Sequence, residues 1–195
     1  MDKEETANFT PLEKVTDFNR RSSLKANGGL KPSSAQTVRE RSSLTGFIKA
    51  KSAVFRLLKI RSRSEQEVKD KLKQKGFDEH VIGQAIRYFK DLELIHDRQF
   101  AKGWIASRLN KPFGSHRIRL ELKQKGIDDD IIDEELTKAL ESYSEEEVVL
   151  SLLKKRVVKY KNVPPLKLKQ RLYNYLARRG FNAEVIYRSL KRYDS

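Results

Sequence analysis

The sequence predicts an all-α chain. Three tandem three-helix repeats form an elongated, curved, solenoid-like molecule, preceded by a disordered N-terminal tail. Three observations predict it. Apolar residues recur at spacings of three and four from about Ala53 onward, and no stretch alternates at period two. The segment Lys71–Ile82 returns as Glu121–Ile132 and again, more loosely, as Tyr175–Ile186. The glycines inside these copies, Gly76, Gly126 and Gly180, mark the repeat.

Residues 1–51 stand apart. Three Ser-Ser pairs, Gly28-Gly29, Pro11 and Pro32 interrupt them, and their apolar residues follow no period. Such a segment buries too little apolar surface to offset its ordering entropy, so a basic, Ser-rich disordered tail is expected. The repeats follow at 52–96, 97–141 and 142–195.

Each repeat opens with a helix, expected at Ala53–Arg61, Arg98–Leu109 and Glu146–Val158. The second helix carries an i, i+4 pair for the core: Val68 and Leu72, Ile118 and Leu122, Leu172 and Leu176. Ser64 and Glu67 form a capping-box pattern before the first of these. Pro112-Phe-Gly-Ser115 supplies a break and a Ser cap before the second, and Pro164-Pro165 opens the third, where missing donors do no harm. Each second helix ends at its glycine, which takes the left-handed C′ conformation at low cost. Phe77, Ile127 or Phe181 closes over that end. Asp78, Asp128 or Asn182 then caps the third helix. Its stripe is Val81, Ile82, Ile86 and Phe89 in the first repeat. Ile131, Ile132, Leu136 and Ala139 repeat it, as do Val185, Ile186, Leu190 and Tyr193. One such unit has little core of its own, and neighbours in series would support it.

Charge narrows the function. The 195 residues hold 42 Lys and Arg against 27 Asp and Glu, a net +15. The tail carries +4, the first repeat +3, the second zero and the third +8. The neutral repeat is split: residues 97–125 hold eight basic and two acidic residues, while 126–141 hold one and seven. That acidic stretch would repel phosphates and is expected to face protein or solvent. The whole suits a polyanion or an acidic protein surface. With no Cys, disulfides and thiolate metal sites are excluded. No apolar run approaches a membrane span and no secretory signal is visible, so a cytoplasmic protein is expected.

No catalytic constellation or cofactor motif is found. His80, His96 and His116 are scattered, no phosphate-cradling glycine motif occurs, and Asp128-Asp129-Asp130 reads as a cap with an acidic first turn. Trp104 sits on the apolar face with Phe100, Ala101, Ile105 and Leu109 and reads as core. The contact candidates are the outward cations of the second helices. They are Lys73 and Lys75, then Arg117, Arg119, Lys123 and Lys125, then Arg171, Arg178 and Arg179, with Arg108 and Lys111 beside the second set. Lys75, Lys125 and Arg179 are equivalent and could serve simply as compensation for helix C-termini. Arg117 and Arg119 lie near a helix start, where the dipole disfavours cations.

The stretch His96–Ile127 resembles the central motif of the RecX family. It has an Asp with Phe-Ala, then Ser107-Arg108, Pro112-Phe-Gly114, Arg117-Ile118, and Leu122-Lys-Gln-Lys-Gly-Ile127. Lys75-Gly-Phe77 and Arg178-Arg-Gly-Phe181 resemble its flanking repeats. The resemblance covers about residues 53–193. It implies a modulator of RecA lying in the helical groove of the RecA–DNA filament as a monomer. Such a protein reaches single- or double-stranded DNA mainly through the filament, and inhibits ATP hydrolysis, filament growth and strand exchange. The alternative is a stand-alone basic helical DNA-binding protein.

Overall fold

The computed structural model describes residues 34–160 and 162–193. The described residues form nine α-helices and no strand. The first unit holds α1 (Ser34–Ile60), α2 (Glu65–Gln74) and α3 (Glu79–Asp91). The second holds α4 (Asp97–Leu109), α5 (Ser115–Gln124) and α6 (Asp129–Leu140). The third holds α7 (Glu145–Val157), α8 (Pro165–Arg178) and α9 (Ala183–Tyr193).

The units have separate cores. Val54, Val68, Leu72, Ile82 and Phe89 pack in the first; Ile105, Ile118, Leu122 and Ile132 in the second; Leu153, Leu172, Leu176 and Ile186 in the third. The expected i, i+4 pairs are all buried. Gly76, Gly126 and Gly180 have φ of 79°, 73° and 81°. Each closes its helix with the same two bonds: the glycine N–H donates to Lys73, Lys123 or Ala177, and the next N–H to Leu72, Leu122 or Leu176. This is the Schellman motif.

Four local expectations change. The tail expected over 1–51 lies outside the described residues as far as position 33; from Ser34 the chain is helical, so α1 begins well before Ala53. The cause is tertiary: Ala50 is buried, Gly46 lets α1 close on Val81 of α3, the Phe47 ring meets Tyr88 edge-on, and the Lys51 ammonium lies 3.7 Å from the Tyr88 ring centre. At α5 the N-cap is Gly114, and Ser115 is already helical. At α2 Ser64 does cap, accepting from the Glu67 amide at 3.2 Å. The Glu67 carboxylate, however, turns away from the helix start to Arg61 and Lys125. Asp78 occupies the N-cap of α3 without a side-chain bond, whereas Asp128 and Asn182 accept from Asp130 and Glu184.

Candidate interaction surface at the repeat junctions

The units join by one rule: the start of a second helix docks on the end of the next unit's second helix. At the first junction the Ser64 hydroxyl donates to the Lys125 carbonyl at 2.7 Å, and the Lys125 ammonium pairs with Glu67 at 2.7 Å. At the second, the amides of Gly114 and His116 donate to the carbonyls of Arg179 (2.9 Å) and Gly180 (3.2 Å). A carboxylate from the next unit's first helix completes each cap. The Glu65 amide donates to Asp97 at 2.8 Å, and the Ser115 amide to Glu145 at 2.6 Å. Free helix-start donors are thus satisfied across the junction. Three glycines are needed for contact: a Cβ on Gly126 would overlap Gln66 at the first junction, and at the second one on Gly114 would overlap the Gly180 carbonyl and one on Gly180 would overlap Arg117. Among the described residues no helix end meets the start of α8, and Pro165 at its first helical position has no N–H to satisfy.

Around these junctions runs an alternation of cations and aromatic rings. Arg171 and Arg156 flank Tyr160, with guanidinium carbons 5.8 and 5.4 Å from the ring centre. Arg156 also covers Tyr175 at 4.6 Å, which Arg179 approaches at 5.0 Å. Arg179 reaches Phe113 at 5.9 Å, Arg117 covers that ring at 4.3 Å, and Arg108 lies between Phe113 and Trp104. Lys125 closes the strip, 4.2 Å from the Trp104 ring. Each such contact is worth about 0.5–2 kcal/mol, the more when desolvated. Trp104 is only half-buried, and its indole N–H donates to Glu121 at 3.0 Å.

The structure therefore gathers Arg108, Arg117, Lys125, Arg171 and Arg179 into one strip. Glu121 anchors its centre, taking Arg108 Nε at 2.5 Å and Arg117 Nε at 2.9 Å. Arg119 and Lys123 fall elsewhere, paired with Asp133 and Asp129 of α6. Arg98 binds Glu134 and Glu135 of the same helix. The acidic stretch thus largely neutralises its own unit's cations, rather than facing only protein or solvent. Lys73 pairs with Glu79 at 3.2 Å. Lys75, Lys111 and Arg178 are exposed and make no side-chain ion pair among the described residues, and Lys75, though equivalent in sequence to Lys125 and Arg179, does not join them in the strip. Lys154, Lys155, Lys159 and Lys167 of the third unit are also exposed.

Residue types had not singled out Glu67, Asp97, Glu121 and Glu145 for these junctions, nor Phe113, Arg156, Tyr160 and Tyr175 for the strip. The usable signal was the corner position shared by Lys125 and Arg179. Among the described residues no group of three His, Cys, Asp or Glu could hold a metal, and no helix is long and apolar enough to cross a membrane.

Electrostatics makes the first junction acid-sensitive. Burial pushes the Glu67 carboxyl up, but bonds from Arg61 and Lys125 outweigh it and hold the group down to about 2. A depressed carboxyl stabilises the fold above its unfolded value, and the gain is lost as pH falls through the folded value. E67Q is therefore expected to melt below wild type at pH 7. The gap should shrink from about pH 4.5 toward pH 2. A gap independent of pH would refute this account.

Three family models match the chain in order. RecX, first three-helix domain, matches residues 50–89; RecX, second three-helix domain, 97–136; and RecX, third three-helix domain, 144–190. A Regulatory protein RecX from Clostridium beijerinckii is 34% identical over 172 residues, covering 87% of this chain and 78% of its own. One from Prosthecochloris aestuarii is 34% identical, covering 73% of this chain and 91% of its own. The crystal structure of RecX from Lactobacillus salivarius superposes with a TM-score of 0.67 at 26% identity, covering 77% of this chain and 98% of that one.

Proposed function

The chain belongs to the RecX family, and from that premise we propose that it is a non-enzymatic regulator of RecA. It binds the RecA–DNA filament in its helical groove as a monomer. It restrains ATP hydrolysis, filament growth and strand exchange, and so regulates DNA repair and recombination in the cytoplasm. The observation that carries this reading is the cation–aromatic strip continuing from the third unit across the second to Lys125. A row of units with recurring cations suits an extended partner with a repeating surface.

Titration of the protein into preformed RecA filaments tests it by co-sedimentation and ATPase rate, with and without residues 1–33, the segment before α1. Binding with a falling ATPase rate is expected at stoichiometric amounts. Neither binding nor a change in rate would sink the proposal. The exposed Lys154, Lys155, Lys159 and Lys167 favour a second reading, direct DNA binding. It requires affinity for duplex without RecA, falling steeply with salt as counterions are released. If affinity appears only with RecA present, that second reading fails.

A further inference from the structure

The junction rule leaves one end of the rod open. The ends of α5 and α8 each receive a helix start, whereas the equivalent end of α2 receives none among the described residues. A Cβ on Gly76 would meet nothing within 4 Å, while at Gly126 and Gly180 it would strike Gln66 and Arg117. Lys125 O accepts from Ser64, and Arg179 O from Gly114. The matching carbonyl of Lys75 accepts no hydrogen bond from the described residues. The Lys125 ammonium holds Glu67, and the equivalent Lys75 ammonium is exposed and makes no ion pair among the described residues. The opposite end of the rod is finished differently, with prolines at the N-cap and first helical position of α8.

We propose that the open α2 end, Lys75 and Gly76, docks the first turn of a helix from the protein partner. Its chemistry is set by the first junction, where a hydroxyl N-cap donates to the carbonyl and a carboxylate three residues on pairs with the lysine. The capping carboxylates Asp97 and Glu145 stand four residues before the buried Ala101 and Val149; the position four before buried Ala50 is Gly46. With glycine at that position, the end lacks the carboxylate that receives the first amide at the two existing junctions. The partner helix is one that needs none there, as with proline at that position. A second copy of this chain is a poor occupant, because Lys167 stands at the third helical position of α8, opposite Lys75, where α2 has Glu67. Continuity with the two existing junctions is the ground for choosing a helix start over any other occupant.

The inference rests on the reading of a protein partner given above, and two arms separate the two. In the first, full-length wild type and K75E are sedimented with RecA filaments. Binding at least fivefold weaker for K75E, with unchanged melting, is expected, and equal binding would overturn the assignment. In the second, P164S/K167E gives α8 the start that the open end is built to take, with Pro165 retained. This variant should assemble head to tail with rising concentration, as read by sedimentation velocity, and adding K75E should return it to monomer. If it stays monomeric with normal circular dichroism, the proposal is overturned. Wild type failing to bind filaments would refute only the RecA reading, and the second arm would still decide this one.

Discussion

Gly180→Ala is expected to cost about 3–5 kcal/mol. Two penalties combine. The residue sits at φ +81°, where a side chain is strained by about 1–2 kcal/mol. Its new Cβ would also overlap Arg117, whose backbone nitrogen lies 2.6 Å away. Backbone cannot rotate aside as a side chain can, so the second junction must open. Two further alanines separate the terms. Gly76→Ala has strain without a clash and should cost about 1–2 kcal/mol. Gly114→Ala has ordinary φ, −76°, but strikes the Gly180 carbonyl. It should cost more than Gly76→Ala and less than Gly180→Ala. Because units in series are coupled through their interfaces, G180A should also split one melting transition into two. Equal melting of G76A and G180A would refute the junction account.

Glu121→Gln is expected to move stability and polyanion affinity in opposite directions. The carboxylate takes bonds from Arg108, Arg117 and the Trp104 indole. Hydrogen bonds to charged groups are worth about 1.5–3 kcal/mol each, and the amide keeps part of them, so a net loss of about 2–3 kcal/mol follows. Burial raises the Glu121 carboxyl, but bonds from Arg117 and Arg108 outweigh it and leave it below the usual range. Its stabilisation is therefore full above that range and is lost as pH falls below it. The penalty of E121Q in urea or thermal melts should be present at pH 7 and shrink in acid. Meanwhile two guanidinium groups lose their internal anion. Affinity for DNA, measured against salt, should rise several-fold with a steeper slope. A variant that is less stable but no better at binding would place Glu121 in a purely structural role.

These two predictions also mark how far sequence reasoning reaches. The glycines, their Schellman ends and the buried pairs were legible because each follows from contacts within about ten residues. The junction carboxylates were not. Asp97 and Glu145 look like ordinary acidic first-turn residues, and the amides they cap lie 32 and 30 residues away in the chain. Glu121 was hidden similarly, as the lone carboxylate in the basic run from Arg98 to Lys125. The start of α1 was missed because Ser-Ser pairs and Gly46 argue against a helix, and only α3 supplies the surface that Phe47 and Ala50 cover.

The end-to-end docking of α8, α5 and α2 has an electrical consequence. At each junction the carbonyl end of one helix meets the amide end of another, so these three helix dipoles are joined head to tail. The unshared poles fall at the two tips: positive at the start of α8, within the third unit's +8 charge, and negative at the end of α2. The free amide end of this series thus lies in the unit of highest positive charge, and long-range attraction draws a polyanion to the third unit first.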